Sequence, residues 1–113
     1  MTAFAYFGEY QSRIDLYISA RASGYTSDWQ YAELKLSGDY LIVYPKESKG
    51  QGTVKCRRVD ANRKCDARTM CCGKLFTEGM LSRSLIGKRL KLKKMKTDDG
   101  YGYALVVCLK EEA

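Results

Sequence analysis

Polar and apolar residues alternate along several short stretches of the chain, the pattern of strands that bury one face. In residues 13–20 (RIDLYISA) every second residue is apolar. Residues 31–36 (YAELKL) and 40–44 (YLIVY) predict a hairpin, because the turn-forming residues Ser37, Gly38 and Asp39 lie between them. The first half of the chain therefore predicts a strand followed by a hairpin.

A second hairpin is predicted from residues 53–59 (TVKCRRV) and 64–70 (KCDARTM), with turn chemistry in the DANR segment between them. The polar positions of its second strand are Lys64, Asp66 and Arg68. The alternative is a helix that begins at Asp60 and ends at Gly73. So short a stretch does not distinguish the two-residue period of a strand from the 3.6-residue period of a helix.

A short helix is predicted over residues 77–86 (TEGMLSRSLI), which Thr77 caps and Gly87 ends. Residues 88–109 then predict a last hairpin that turns near Gly100. Several short strands with one helix before a terminal hairpin predict a mostly β fold, with α+β as the alternative. The layout suits a small Greek-key or OB-like barrel, and we expect a single domain over residues 1–113.

The last hairpin is strongly basic, with six cations among the nine residues 88–96. Antiparallel pairing sets even-numbered residues of its first strand opposite odd-numbered residues of its second. The tip of one face is therefore predicted to combine Lys94 and Lys96 with Tyr101 and Tyr103. Cations for phosphates beside rings for bases are the components of a nucleic-acid surface. Alternatively, the lysine stems only cover the rings and stabilise the hairpin.

Charge is concentrated in the middle of the chain, whose net charge is +7 overall. Residues 48–96 hold fifteen cations against three anions, whereas residues 1–47 and 97–113 are both net acidic. So basic a segment favours a polyanionic partner over a merely solubilising surface. Lys55 and Arg57 form a second basic pair on one face of another predicted strand. We expect the two basic groups to converge into one groove.

Catalytic chemistry is not predicted. The chain contains no histidine, which removes the usual general base and the usual partner of a serine or cysteine nucleophile. Asp15 with Glu33 and Lys35 has the composition of a metal-dependent nuclease site, but Glu33 and Lys35 also read as the outward face of a strand. The sequence predicts no enzyme and no cofactor.

The cysteines are odd in number and unevenly spaced, so we expect reduced thiols rather than a disulfide framework. Zinc binding stays open for four of them, although they lack paired C-x-x-C spacing. These four are Cys56, Cys65, Cys71 and Cys72. No metal ligand is assigned.

The N-terminal segment has no cationic leader, and the chain has no run of eighteen apolar residues. We therefore expect a cytoplasmic protein with no membrane partner.

These patterns predict a small non-enzymatic nucleic-acid-binding protein that contacts the phosphate backbone through a basic β surface, largely independently of sequence. The expected contact residues are Lys55, Arg57, Lys88, Arg89, Lys91, Lys93, Lys94 and Lys96, with Tyr101 and Tyr103 for stacking. The alternative is a protein-interaction module, such as a mobile-element-encoded inhibitor of a host defence or nucleic-acid enzyme, which contacts its partner through Tyr25, Trp29 and Tyr31. The partner is then a nucleic-acid-associated protein.

Overall fold

The computed structural model describes residues 4–19, 30–58, 68–98 and 102–110. Within these ranges the chain forms eight strands, a short helix and a 3-10 turn. The strands are β1 (Phe4–Tyr10), β2 (Arg13–Ile18), β3 (Tyr31–Ser37), β4 (Tyr40–Lys46), β5 (Thr53–Arg58), β6 (Arg68–Cys71), β7 (Leu90–Lys96) and β8 (Tyr103–Cys108). The helix is α1 (Gly73–Thr77), and the 3-10 turn spans Arg83–Leu85.

These strands close into one barrel in which every neighbouring pair is antiparallel. The order around the barrel is β1, β2, β6, β5, β3, β4, β8, β7 and back to β1. This confirms the predicted mostly β barrel of short antiparallel strands, although an OB-fold has five strands and this barrel has eight.

Strand alternation separates a core from an outer wall. Side chains such as Phe7, Leu16, Leu41, Val43, Leu105 and Val107 are almost completely buried and fill the barrel. Each such side chain contributes roughly 1.5–3 kcal/mol by leaving water. The intervening residues lie on the outside, where exposed cations such as Lys55, Arg57, Lys91 and Lys93 are found.

Two of the predicted hairpins, β3–β4 and β7–β8, form with the expected pairing, and they are neighbours in the barrel because β4 pairs with β8. Ser37 pairs with Tyr40 around a two-residue turn in which Gly38 has a φ of +58°. Lys94 pairs with Leu105 and Lys96 with Tyr103, which is the predicted even-to-odd relationship.

The helical segment differs from the prediction in position. α1 ends at Thr77, where the predicted helix would have begun, and only the 3-10 turn falls inside residues 77–86. Gly79 explains the difference, because its φ of +73° turns the chain out of the helix while its N–H donates to the carbonyl of Phe76. Phe76 packs edge-on against Phe7, with ring centroids 5.1 Å apart.

Two further features were not anticipated. β1 was not predicted as a strand. Arg68, which the alternation placed on a polar face, is only 2% exposed and lies opposite Ile18 on the inner side of β6.

In the part of the chain that the structure describes, no helix has the length and apolarity needed to cross a bilayer.

Candidate functional site

The most distinctive outer surface is formed by β7, β1 and β2, which are consecutive in the barrel. Tyr6 on β1 pairs with Tyr17 on β2, and Phe4 on β1 pairs with Lys91 on β7. Since Ala5, Phe7 and Leu16 point inward, Phe4, Tyr6 and Tyr17 share the outer face. These three rings are called the aromatic patch below.

The rings of the aromatic patch contact one another. Tyr6 and Tyr17 stack with centroids 4.9 Å apart and an interplanar angle of 26°. The centroid of Phe4 lies 5.9 Å from that of Tyr17 and 6.5 Å from that of Tyr6. Tyr6 is 36% exposed, so the cluster faces solvent rather than the core.

Arg89 extends the patch toward β7. Its guanidinium carbon lies 3.8 Å from the centroid of the Phe4 ring, within the range of a cation–π contact. Gly87 prepares this approach: it has a φ of +86°, and its N–H donates to the carbonyl of Phe7 at 2.7 Å. The chain is thereby held against β1 two residues before Arg89.

Ser19 fixes the other end of the patch. Its hydroxyl accepts a hydrogen bond from the Phe4 N–H at 3.1 Å, and its own N–H donates to the Phe4 carbonyl at 3.0 Å. The side chain of Ser19 is buried. Because both backbone groups of Phe4 are held, the ring is presented from a fixed position rather than from a free strand end.

Together these residues surround an open surface depression of about 470 Å³, lined by Phe4, Tyr6, Tyr17, Gly87 and Arg89. Gly8 leaves room for the ring of Tyr6, because a Cβ on Gly8 would lie 3.3 Å from that ring. The lining of the depression thus combines three flat rings, one planar cation and the backbone of Gly87.

Exposed cations continue from the depression along β7. Lys91 and Lys93 alternate with the buried Leu90 and Leu92 and therefore lie on the outer wall, and the half-buried Lys88 precedes them. Lys91 is the cross-strand neighbour of Phe4.

Two carboxylates on the neighbouring strands are paired with arginines. Arg13 donates to Asp15 at 2.9 Å, which raises the pKa of the guanidinium, and Arg83 forms an ion pair with Glu9. Each of these two carboxylates thus has an arginine partner that lies outside β7.

Lys55 and Arg57 do not join this surface. Both are exposed on the outer face of β5, on either side of the buried Cys56. In the barrel order three strands separate β5 from β7 in either direction, so the two strands occupy opposite walls. The expected convergence of the two basic groups into one groove is wrong.

The tip of the β7–β8 hairpin also differs from the expected stacking platform. Tyr103 is only 6% exposed, and Lys94 Nζ lies 4.9 Å from its ring centroid. This contact is the lysine-over-tyrosine pair weighed as the alternative, and Tyr103 does not offer a free ring to a base. Lys94 and Lys96 remain exposed. Tyr101 lies outside the described residues.

Of the residues expected for a protein interface, Tyr25 and Trp29 lie outside the described residues. Tyr31 is half-buried at the start of β3 and is paired with Lys46 on β4 and Lys55 on β5. It therefore belongs to the wall opposite the aromatic patch.

The cysteines do not assemble a metal site in the described ranges, where no three side chains of the metal-binding types come together. Cys56 and Cys72 are buried, and burial raises the pKa of each thiol to about 12. Cys71 is exposed, and Cys65 lies outside the described residues. Asp15 and Glu33 lie on strands three positions apart in the barrel, so they do not form the nuclease-like pair.

Phe4, Tyr6 and Tyr17 were missed by the sequence reasoning. The signal was present in FAYFGEY, where Phe4, Tyr6 and Gly8 alternate with Ala5 and Phe7. Because both faces of this segment are apolar, the pattern does not show which face is outside.

Comparison with known proteins gives no relative: no family model, no curated protein and no solved structure matches the chain.

Proposed function

We propose that the protein is a small, non-enzymatic nucleic-acid-binding protein whose binding surface is the outer wall of β7, β1 and β2. The observation that carries the proposal is the position of the aromatic patch and Arg89 directly beside the exposed lysines of β7. The lysines and Arg89 attract the negatively charged phosphates of a nucleic acid. The rings of the aromatic patch can stack on its bases, which are flat.

The contacts are expected to be mostly with the phosphate backbone. Arg89, Lys91 and Lys93 supply them from the centre of the surface, with Lys88 at its edge. No long recognition helix is present among the described residues, whose helical segments are five and three residues long. Readout of base edges in a duplex groove is therefore not part of the proposal.

Binding of a labelled oligonucleotide at several salt concentrations tests this function. The logarithm of the binding constant should fall linearly with the logarithm of the salt concentration, because each neutralised phosphate releases counterions. Arg89→Ala should weaken binding, and Arg57→Ala serves as its control, since it removes the same charge from the opposite wall. A salt-independent affinity, or equal effects of both substitutions, would contradict the proposed surface.

The second candidate is a protein-interaction module of the inhibitor kind. It is favoured by the outer wall of β3, β4 and β8, where the registers bring Ile42 next to Val106, with the exposed Tyr40 on the same face of β4. An acidic protein face would suit the lysines that flank Tyr31. Loss of a protein partner in Tyr31→Ala and Tyr40→Ala, with unchanged nucleic-acid affinity, would favour this candidate.

A further inference from the structure

The aromatic patch adds a requirement that phosphate binding alone does not have. Lysines on an outer wall attract any polyanion, but the aromatic patch adds ring surface that is partly open to solvent, with Tyr6 36% exposed and Phe4 and Tyr17 half-buried. Flat apolar surface is complementary to the face of a planar ring, so the depression is suited to ligands that expose such faces.

We infer that the depression takes the unpaired bases of single-stranded nucleic acid, an inference that rests on the proposed function. In a duplex the faces of the bases are hidden in the stack, and only their edges reach the grooves. In a single strand the faces are free to stack on aromatic rings and on arginine. The aromatic patch therefore contributes to binding of single strands and not of duplexes.

In this inference the base and the phosphate of a nucleotide bind to different parts of the surface. Bases contact Tyr6, Tyr17 and the Arg89–Phe4 pair, while the backbone lies over β7. Because Lys91 is the direct cross-strand neighbour of Phe4, the backbones that carry this cation and this ring are one strand spacing, about 4.8 Å, apart. A strand lying along this junction can engage rings and cations together.

The patch is also organised before any ligand arrives. Phe4 is held by both hydrogen bonds to Ser19, Arg89 already lies over its ring, and Tyr6 is already stacked on Tyr17. Ordering of these groups therefore costs little when a base binds. Stacking of this kind changes affinity by roughly 5- to 150-fold per base.

Three probes of equal length separate stacking from charge: an oligothymidylate of about twelve nucleotides, an abasic strand of the same phosphates, and a duplex. The wild-type protein should bind oligothymidylate at least about fivefold more tightly than the abasic strand at the same salt concentration. Oligothymidylate should also bind more tightly than the duplex.

Substitutions of Tyr6 test whether its aromatic ring causes the difference in affinity between oligothymidylate and the abasic strand. Tyr6→Phe should preserve the preference for oligothymidylate, whereas Tyr6→Leu and Tyr6→Ala should bring it toward the affinity of the abasic strand. Tyr6→Leu keeps apolar bulk without a flat ring, and a thermal melt of each variant verifies that it is folded. Tyr31→Leu, an outer-wall tyrosine on the opposite side, is the matched control and should leave the preference unchanged.

The outcomes distinguish the two proposals. Equal, salt-dependent affinity for the normal and abasic strands would overturn the single-strand inference and leave phosphate binding intact. Tighter binding of the duplex would also overturn the inference. Absence of binding to every probe at low salt would remove the proposed function and the inference with it.

Discussion

The guanidinium of Arg89 lies over the ring of Phe4, with 3.8 Å between its central carbon and the ring centroid. This contact joins the basic segment of the chain to a strand near the N-terminus that carries no positive charge of its own. It places a planar cation at the edge of the aromatic patch, where charge and flat apolar surface meet. The candidate site depends on this junction between β1 and the residues that precede β7.

Arg89 should contribute through its shape as well as its charge. Arg89→Ala is expected to weaken single-strand binding by about 1 kcal/mol, roughly fivefold, while Arg89→Lys should give an intermediate loss because it keeps the charge without the planar group. Fluorescence anisotropy measures both. Arg57→Ala should change the affinity by less than about twofold, since it lies beyond a screening length of about 10 Å on the opposite wall.

Lys93 should act through phosphates alone. Lys93→Ala is expected to reduce the slope of the salt dependence by about 0.7, the value for one phosphate of a single strand. The preference for normal over abasic strands should not change. Lys55→Ala on β5 is the control, and an equal reduction in its slope would show that the whole molecule, and not one wall, attracts the ligand.

Ser19 should stabilise both the barrel and the patch. Ser19→Ala removes the hydroxyl that accepts from the Phe4 N–H, so the free energy of unfolding should fall by about 1 kcal/mol. Urea titration measures the change. Ser37→Ala, in an exposed position at the end of β3, should leave stability within about 0.5 kcal/mol.

The turn between β1 and β2 contains a removable strain. Gln11 and Ser12 have φ values of 49° and 67°, a left-handed pair that favours Asn-Gly in a two-residue hairpin. The double substitution Gln11→Asn with Ser12→Gly should raise the free energy of unfolding by about 1 kcal/mol. Gly38→Ala, at a φ of +58°, should change it by a similar amount in the opposite direction.

The buried thiols should make the folded protein less stable at high pH. Burial raises the pKa of Cys56 and of Cys72 from the ordinary value near 9 to about 12, so each thiol stays protonated in the fold and ionises on unfolding. Stability is therefore retained below about pH 9 and lost progressively from pH 9 to pH 12. Urea titrations across this range measure the loss, and Cys72→Ala should make it shallower.

The same burial predicts selective modification at neutral pH. An alkylating reagent should react with the exposed Cys71 while Cys56 and Cys72 stay unmodified until the protein unfolds. Peptide mass spectrometry assigns the modified positions. Modification of Cys72 as fast as Cys71 in the folded protein would contradict the buried environment.

Local pattern was sufficient for much of the strand layout. The alternation of polar and apolar residues predicted β2, and the turn residues around Gly38 predicted the β3–β4 hairpin. The rule that even-numbered residues of β7 face odd-numbered residues of β8 predicted the pairing of Lys96 with Tyr103. These features depend on neighbours within one segment, which the sequence contains directly. The position of α1 was not predicted because the predicted helix over residues 77–86 runs through Gly79, whereas Gly79 follows the end of α1.

Relationships between distant segments were not predictable in this way. The adjacency of β2 to β6, of β5 to β3 and of β1 to β7 follows from closure of the barrel, and no local period encodes it. For that reason the sequence placed Lys55 and Arg57 beside β7, although they lie on the far wall. The aromatic patch was missed for the same reason, since its rings come from two strands and its cation from a third part of the chain.

The backbone pairing between β1 and β7 consists of only two residue pairs, Phe4 with Lys91 and Ala5 with Leu90. Among the strand pairings that the structure describes, this one has the fewest residue pairs. It lies directly beneath the proposed ligand. A ligand that contacts Phe4 and Lys91 at the same time would connect β1 to β7 where their backbone pairing is short. Occupancy should therefore slow amide hydrogen exchange at these two strands more than elsewhere, so the ligand would complete the mechanical closure of the barrel.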